Sequence, residues 1–124
     1  MYGKVNLKLA DGTEKEFGML ATGTTAYRYK QIFKGELMRD VTKLVNKELD
    51  YVGENADFSC VDKLAFIMNC TAEGKDLNKQ NFTSFLAFME QLDSGAIINA
   101  MGDIISIYLG NKESTSEPKK EEEQ

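Results

Sequence analysis

Two amphipathic helices in immediate succession are predicted between Leu20 and Val45, and this stretch constrains the fold more than any other. In the first helix, Ala26, Tyr29 and Phe33 recur at i, i+3 and i+7, which places them on one helical face. The second helix carries apolar residues at i, i+1, i+4, i+7 and i+8: Leu37, Met38, Val41, Leu44 and Val45. We expect Gly35 to end the first helix, because glycine readily adopts the left-handed conformation. Neither helix can bury its apolar face alone, so other elements must cover both.

A β-hairpin is predicted ahead of these helices. Apolar and polar residues alternate from Val5 to Leu9, which is the period of a strand with one buried face. Asp11-Gly12 favours a tight turn, because both residue types tolerate a positive φ. The returning strand would place Phe17 and Met19 on the buried side. Two strands alone are marginally stable in water, so this hairpin must pack against helices.

Three more helices are predicted further along the chain. The third runs from Phe58 to about Ala72, and its broad apolar face indicates a central position. The fourth begins near Asn81. The fifth follows the break at Asp93-Ser94-Gly95, where Ser94 can cap it, and ends at Gly110. In the fourth helix the predicted buried stripe excludes Phe88 and consists of Phe82, Phe85, Leu86, Met89 and Leu92.

The last fourteen positions contain no hydrophobic residue, so residues 111–124 are predicted to form a disordered acidic tail or linker. The predicted fold class is therefore mainly α (α+β). Residues 1–110 form one helical domain, in which the N-terminal β-hairpin packs on about five helices.

Charge and composition argue against several classes of function. The net charge of −5 disfavours nucleic-acid binding, which needs clustered Lys and Arg. No apolar run approaches the ~20 residues of a membrane helix, and no signal-peptide core follows Met1, so we expect a cytoplasmic protein without membrane contact. Histidine is absent, which excludes histidine-based catalytic pairs and mixed Cys/His zinc sites.

Other chemical sites are weakly indicated. Cys60 and Cys70 fall on different sides of one predicted helix, beyond disulfide reach, and are expected to be buried thiols. Glycine-rich phosphate loops and calcium loops are absent from the sequence. Paired carboxylates such as Glu14 and Glu16 fall in the hairpin, where no cavity would raise a pKa for acid–base chemistry. The sequence therefore predicts no enzyme, no metal and no cofactor.

The opening helices resemble those of phage tail assembly chaperones, a family of long-tailed phages and prophages. The similarity lies in Tyr27-Arg28-Tyr29 followed by Phe33-Lys34-Gly35-Glu36-Leu37. The family pattern is a tyrosine–arginine helix and then Phe-Gly-x-Asp-aliphatic, so here the glycine comes one place late and Glu replaces Asp. Phe85-Leu86 and Leu92-Asp93 are similar to a later aromatic–aliphatic helix and acidic break. The resemblance spans roughly Val5 to Gly110.

The resemblance implies a non-catalytic chaperone that binds tape measure protein and assists assembly of the tail tube. It also implies a homo-oligomer in the host bacterial cytoplasm that is absent from the mature virion. Many members have a longer product, made by a −1 ribosomal slip, whose added domain recruits the tail-tube (major tail) protein. Lys119-Lys120 is the candidate junction, because two lysine codons supply A-rich triplets and A-AAA-AAG arises if the Pro118 codon ends in A.

The number of aromatic and methionine side chains exceeds what one small core needs, so we expect some of them on a partner-binding surface. The candidate contact residues are Tyr27, Arg28, Tyr29, Lys30, Phe88 and Tyr108.

Two alternatives come from other classes. Asp93-Ser94-Gly95 is similar to the phosphopantetheine attachment site of acyl carrier proteins, which are small, acidic and helical. In those carriers a leucine usually follows the serine, where this chain has Gly95, and an N-terminal hairpin is lacking. A helical DNA-binding regulator is the other alternative, and the acidic charge disfavours it.

Overall fold

The computed structural model describes residues 1–46 and 58–110. Over these residues the chain forms a two-stranded antiparallel sheet and six α-helices. The elements are β1 Tyr2–Lys8, β2 Glu14–Leu20, α1 Thr25–Phe33, α2 Leu37–Asn46, α3 Ser59–Ala72, α4 Phe82–Glu90, α5 Ala96–Asn99 and α6 Met101–Leu109, with a short 3-10 turn at Leu77–Lys79. The mainly helical α+β fold with an N-terminal hairpin is confirmed. The predicted tail, 111–124, lies outside the described residues.

The hairpin forms where alternation predicts it. Its register runs from Tyr2 opposite Leu20 to Lys8 opposite Glu14. Gly12 takes the positive φ of 93° that the turn requires. The buried residues all lie on one face of the hairpin and are Val5, Leu7, Phe17 and Met19.

Helix α3 is the centre of the core. Every residue from Leu64 to Cys70 is buried. Helix α3 packs against β2, against each of the other five α-helices and against the 3-10 turn. Asn69 donates its side-chain N–H to the carbonyl oxygen of Gly18 at 2.9 Å, which fixes α3 along β2. Burial on every side explains why the apolar face of α3 is so broad.

The junction of α1 and α2 departs from the prediction. Lys34, and not Gly35, takes the left-handed conformation that ends α1, with φ at 65°. Gly35 is favoured for a different reason. A Cβ at this position would lie 3.0 Å from Cε1 of Tyr29 and 3.3 Å from a carboxylate oxygen of Asp40. The glycine lets the backbone pass close to a buried aromatic ring.

Helix α4 is rotated relative to the predicted stripe. Asn81 and Ser84 form a reciprocal capping box that starts the helix at Phe82. The side chains that α4 buries are Phe85 and Phe88, and Leu92 follows on the same side just beyond the helix. The helix must cover both α3 and the hairpin, and this requirement turns Phe88 inward.

The predicted fifth helix is divided in two. Ala100 adopts φ −106° and ψ 10°, which separates α5 from α6. The predicted end at Gly110 is confirmed, with φ at 70°. The predicted N-cap at Ser94 is wrong, because Gly95 is the N-cap residue of α5. The carboxylate of Asp93, rather than Ser94, accepts the N–H of Gly95 at 3.1 Å.

The two short helices complete the contact with the hairpin. Leu9 forms a β-bridge with Leu92, just before α5. Further along, Ile107 of α6 packs so closely on β1 that its Cδ1 lies 2.7 Å from where a Cβ on Gly3 would stand. The first and last described elements are therefore packed together.

Both cysteines are buried thiols, as predicted. Burial raises the pKa of the Cys70 thiol to about 11. This thiol is protonated at neutral pH, so it is not an activated nucleophile.

Candidate functional site

Helix α4 carries two large exposed apolar side chains beside its buried face. Phe82 is 55% exposed and Leu86 is 46% exposed. With the partly buried Met89 they recur at i, i+4 and i+7, so the three residues form a stripe beside the buried face of α4. The sequence stripe had combined residues from these two faces.

Aromatic contacts connect this stripe to the core. The Phe82 and Phe85 ring centroids are 5.6 Å apart, and those of Phe85 and Phe33 are 5.1 Å apart. Phe33, at the end of α1, is itself only partly buried. The amine of Lys63 lies 5.5 Å from the centre of the Phe33 ring. We call Phe82, Leu86, Met89, Phe33 and Lys63 the α4 surface.

The chemistry of the α4 surface suits binding. It combines large apolar groups with one ammonium group, which is held over a ring by a cation–π contact. Aromatic side chains that already pack against core residues lose little conformational entropy when a partner binds over them. The arrangement can receive the apolar side of a partner segment and a neighbouring carboxylate.

The predicted contact residues on α1 have different environments. Tyr27 is 75% exposed, and Lys30 is exposed with its amine 4.0 Å from a carboxylate oxygen of Glu36. Arg28 is partly buried and donates to the side-chain oxygen of Asn78 at 2.8 Å. This bond ties α1 to the 3-10 turn that leads into α4. Tyr27 and Lys30 therefore remain accessible, whereas Arg28 also joins two elements.

Two predicted contact residues belong to the core, which corrects their assignment to the surface. Tyr29 is only 1% exposed, and its hydroxyl donates to a carboxylate oxygen of Asp40 at 2.8 Å. Phe88 is buried against Phe17 and Phe66, with ring centroids 6.0 and 5.6 Å away. Tyr29 links α1 to α2 and Phe88 links α4 to the hairpin, so neither can meet a partner while the protein is folded.

Tyr108 lies on α6 and is partly buried against the core. Its burial raises the pKa of the phenol above its ordinary value. The phenol is therefore a neutral group with part of its surface accessible. Lys119 and Lys120 lie outside the described residues.

Sequence reasoning missed Phe82 and Leu86 as surface residues. The available signal was that Phe85, Phe88 and Leu92 also recur at i, i+3 and i+7. Two overlapping stripes fitted the same helix, and only the packing of α4 against the hairpin distinguishes them.

The described part of the chain contains no group of three or more His, Cys, Asp or Glu side chains placed to hold a metal ion. Among residues 1–46 and 58–110, none of the helices has the length and apolar character needed to cross a membrane. Ser94 is exposed, and the helix that follows it has only four residues.

Comparison with known proteins gives no relative: no family model, no curated protein and no solved structure matches this chain.

Proposed function

We propose that the protein is a non-catalytic tail assembly chaperone of a long-tailed phage or prophage, and that it binds tape measure protein. The proposal has two supports. One is the resemblance of the segment from Tyr27 to Leu37 to the opening helices of that family. The other is the exposed apolar stripe of the α4 surface, because a protein-binding function requires accessible apolar groups on a rigid element.

The exposure of Phe82 and Leu86 is the observation that carries the proposal. Apolar residues at i, i+4 and i+7 of one helix match the spacing with which a second amphipathic helix packs. The neighbouring Lys63 favours a partner helix that has an acidic residue at its edge. Tape measure proteins enter the proposal through the family resemblance, which names them as the chaperone's client.

The experiment is co-expression with the tape measure protein that the proposal expects to be encoded beside this gene, followed by affinity capture. Phe82→Ala should reduce the captured amount several-fold, because aromatic anchors dominate binding energy at protein interfaces. Ile98→Ala is the matched control, since Ile98 is also 55% exposed but lies on α5. Both variants should keep the far-UV circular dichroism of the wild type. Failure of the wild type to capture the tape measure protein would contradict the proposed function, and equal losses in both variants would contradict the α4 surface as its site.

We also propose that the chaperone is a homo-oligomer at micromolar concentration. The exposed apolar side chains of different helices, among them Met38 and Leu109, offer surfaces for self-association. Multi-angle light scattering would test this. A mass that remains at 13.9 kDa through the high micromolar range would contradict it.

A longer, frameshifted product is the proposed link to the tail-tube protein. The candidate junction at Lys119-Lys120 lies in a polar segment where an added domain would not disturb a core. The bases around these codons provide the test. A Pro118 codon that does not end in A would exclude slippage at this position and leave the chaperone proposal intact.

The proposed location is the host bacterial cytoplasm, with the chaperone released before the virion is complete. Mass spectrometry of an infected-cell lysate should detect the chain, and mass spectrometry of purified particles should not. Detection in particles at a stoichiometry comparable to that of tail proteins would contradict this part of the proposal.

A further inference from the structure

The outer edge of β1 is paired at one end. Leu9 donates its N–H to Thr13 on the β2 side, at 2.7 Å. On the opposite side, the carbonyl oxygen of Lys8 accepts the N–H of Asp93 at 2.9 Å, and Ala10 donates its N–H to Gln91 at 3.0 Å. Because backbone groups alternate in direction along a strand, the even-numbered residues of β1 face away from β2. The segment from Gln91 to Asp93 thus pairs with part of this edge.

The same edge is open from Tyr2 to Asn6. The backbone groups of Tyr2, Lys4 and Asn6 continue the outward alternation, and all three residues are exposed. Within residues 1–46 and 58–110, no hydrogen bond reaches these outward N–H and C=O groups. The register with β2 is continuous, without a bulge, and neither strand contains a proline. Unpaired edge groups of this kind form a template for another extended chain.

The side chains at this edge indicate the charge of the added strand. On the exposed face of the hairpin, the amine of Lys4 lies 3.7 Å from a carboxylate oxygen of Glu16 on β2, and Lys8 stands opposite Glu14. At the paired end of the outer edge, Asp93 follows Leu92, which bridges to Leu9 just beyond β1. β1 is thus a basic strand beside acidic residues on β2. An acidic side chain on an added strand would approach Lys4 from its open side, whereas the lysines of a second copy's β1 would repel it.

We propose that the β1 edge from Tyr2 to Asn6 binds an extended, acidic segment of a partner protein by strand addition. This site is separate from the α4 surface, and it does not depend on the proposed chaperone function. Main-chain hydrogen bonds supply the attraction, and Lys4 selects for negative charge.

The probe is an acetylated and amidated seven-residue peptide in which valine and glutamate alternate. The control peptide has lysine in place of each glutamate. Titration into the full-length ¹⁵N-labelled protein, at low salt, should shift the amide signals of Lys4 and Asn6. We expect the glutamate peptide to bind roughly tenfold more tightly than the lysine peptide, because opposite charges across strands stabilise and like charges destabilise. Bound peptide should also slow hydrogen exchange at these two amides.

Two proline variants isolate the edge. Asn6→Pro removes an outward N–H of β1, and Glu16→Pro removes the corresponding outward N–H of β2 from the residue directly opposite. Peptide binding should be lost in Asn6→Pro and retained in Glu16→Pro. Lys4→Glu leaves the backbone intact and should reverse the charge preference, so it tests the proposal even if a proline variant unfolds.

Three results would overturn the proposal. These are equal binding of both peptides, binding unchanged by Asn6→Pro in a folded protein, and signal shifts confined to the α4 surface. A peptide-free dimer that dissociates in Asn6→Pro would also overturn it, by assigning this edge to a second copy of the chain.

Discussion

Phe88 and Phe82 provide a matched pair of the same residue type on one helix, and their replacement is expected to destabilise the protein to different extents. Phe88→Ala removes a ring that is packed between Phe17 and Phe66. Replacement of a buried phenylalanine by alanine costs ~3–5 kcal/mol, because transfer energy is lost and a cavity remains. Against a typical total of ~5–15 kcal/mol, this change removes between about a fifth and all of the free energy of unfolding.

Phe82→Ala should cost much less. The side chain is 55% exposed, so only about half of the ~150–250 Å² that an aromatic side chain can bury is lost. At ~25 cal/mol per Å² this is about 2 kcal/mol. The better helix propensity of alanine offsets about 0.5 kcal/mol of it. The expected loss is therefore about 1.5 kcal/mol, roughly a third to a half of the Phe88 value.

Urea unfolding followed by far-UV circular dichroism measures both free energies. A two-state fit with an unchanged slope is required, so that the midpoint reports stability alone. If Phe82→Ala destabilised the protein as much as Phe88→Ala, the rotation assigned to α4 would be refuted. The α4 surface would then belong to the core.

Four smaller experiments test other parts of the structure. Tyr29→Phe should lower the free energy of unfolding by about 1–2 kcal/mol in the same urea assay, because it removes the hydrogen bond to Asp40; no change would contradict that bond. Lys34→Gly should raise the free energy of unfolding by about 1 kcal/mol, since glycine adopts the left-handed conformation without strain. Destabilisation would contradict the strain assigned to Lys34. Between pH 9 and 11 the free energy of unfolding should fall, because the pKa of the Cys70 thiol is near 9 in the unfolded chain and about 11 in the folded protein. Cys70→Ala should flatten this pH dependence, and an unchanged slope would show that other groups cause it. Removal of residues 111–124 should leave the thermal midpoint within a degree or two, since changes without core contacts stay within ~0.5 kcal/mol, and a drop of ten degrees would show that the segment packs.

Local patterns predicted the hairpin and the central helix well. Alternation from Val5 to Leu9 has one interpretation, because only one face of the strand carries apolar residues. The breadth of the apolar face of α3 likewise indicated burial on several sides, which its contacts confirm. Both features are set by residues that lie close together in the sequence, so they can be predicted from local patterns alone.

The surface residues could not be predicted in the same way. The apolar stripe of α1 contained Tyr29 and not Tyr27, yet both tyrosines were predicted as contact residues. The carboxylate of Asp40 that accepts the hydroxyl of Tyr29 inside the protein is brought there by tertiary packing. In α4, two stripes fitted equally well until the hairpin fixed the rotation through Phe17. Gly35 was predicted to end α1, but Lys34 does so, and the close approach of the Tyr29 ring to Gly35 comes from tertiary packing. Which residues remain exposed for a partner depends on packing between elements that are distant in the sequence. Hydrophobic periodicity within one helix carries no information about that packing.

The bridge between Leu9 and Leu92 has a consequence for synthesis on the ribosome. The hairpin leaves the ribosome first, but Leu92, which bridges to Leu9, follows about 80 residues later, and Ile107 later still. At ~5–20 residues per second, this delay lasts roughly 4–16 seconds. During that interval β1 has no α6 to pack against, so the nascent hairpin is exposed to aggregation or to capture by other factors. Contacts of such high sequence separation slow folding, so we expect closure of α5 and α6 onto the hairpin to be the late event that completes the core.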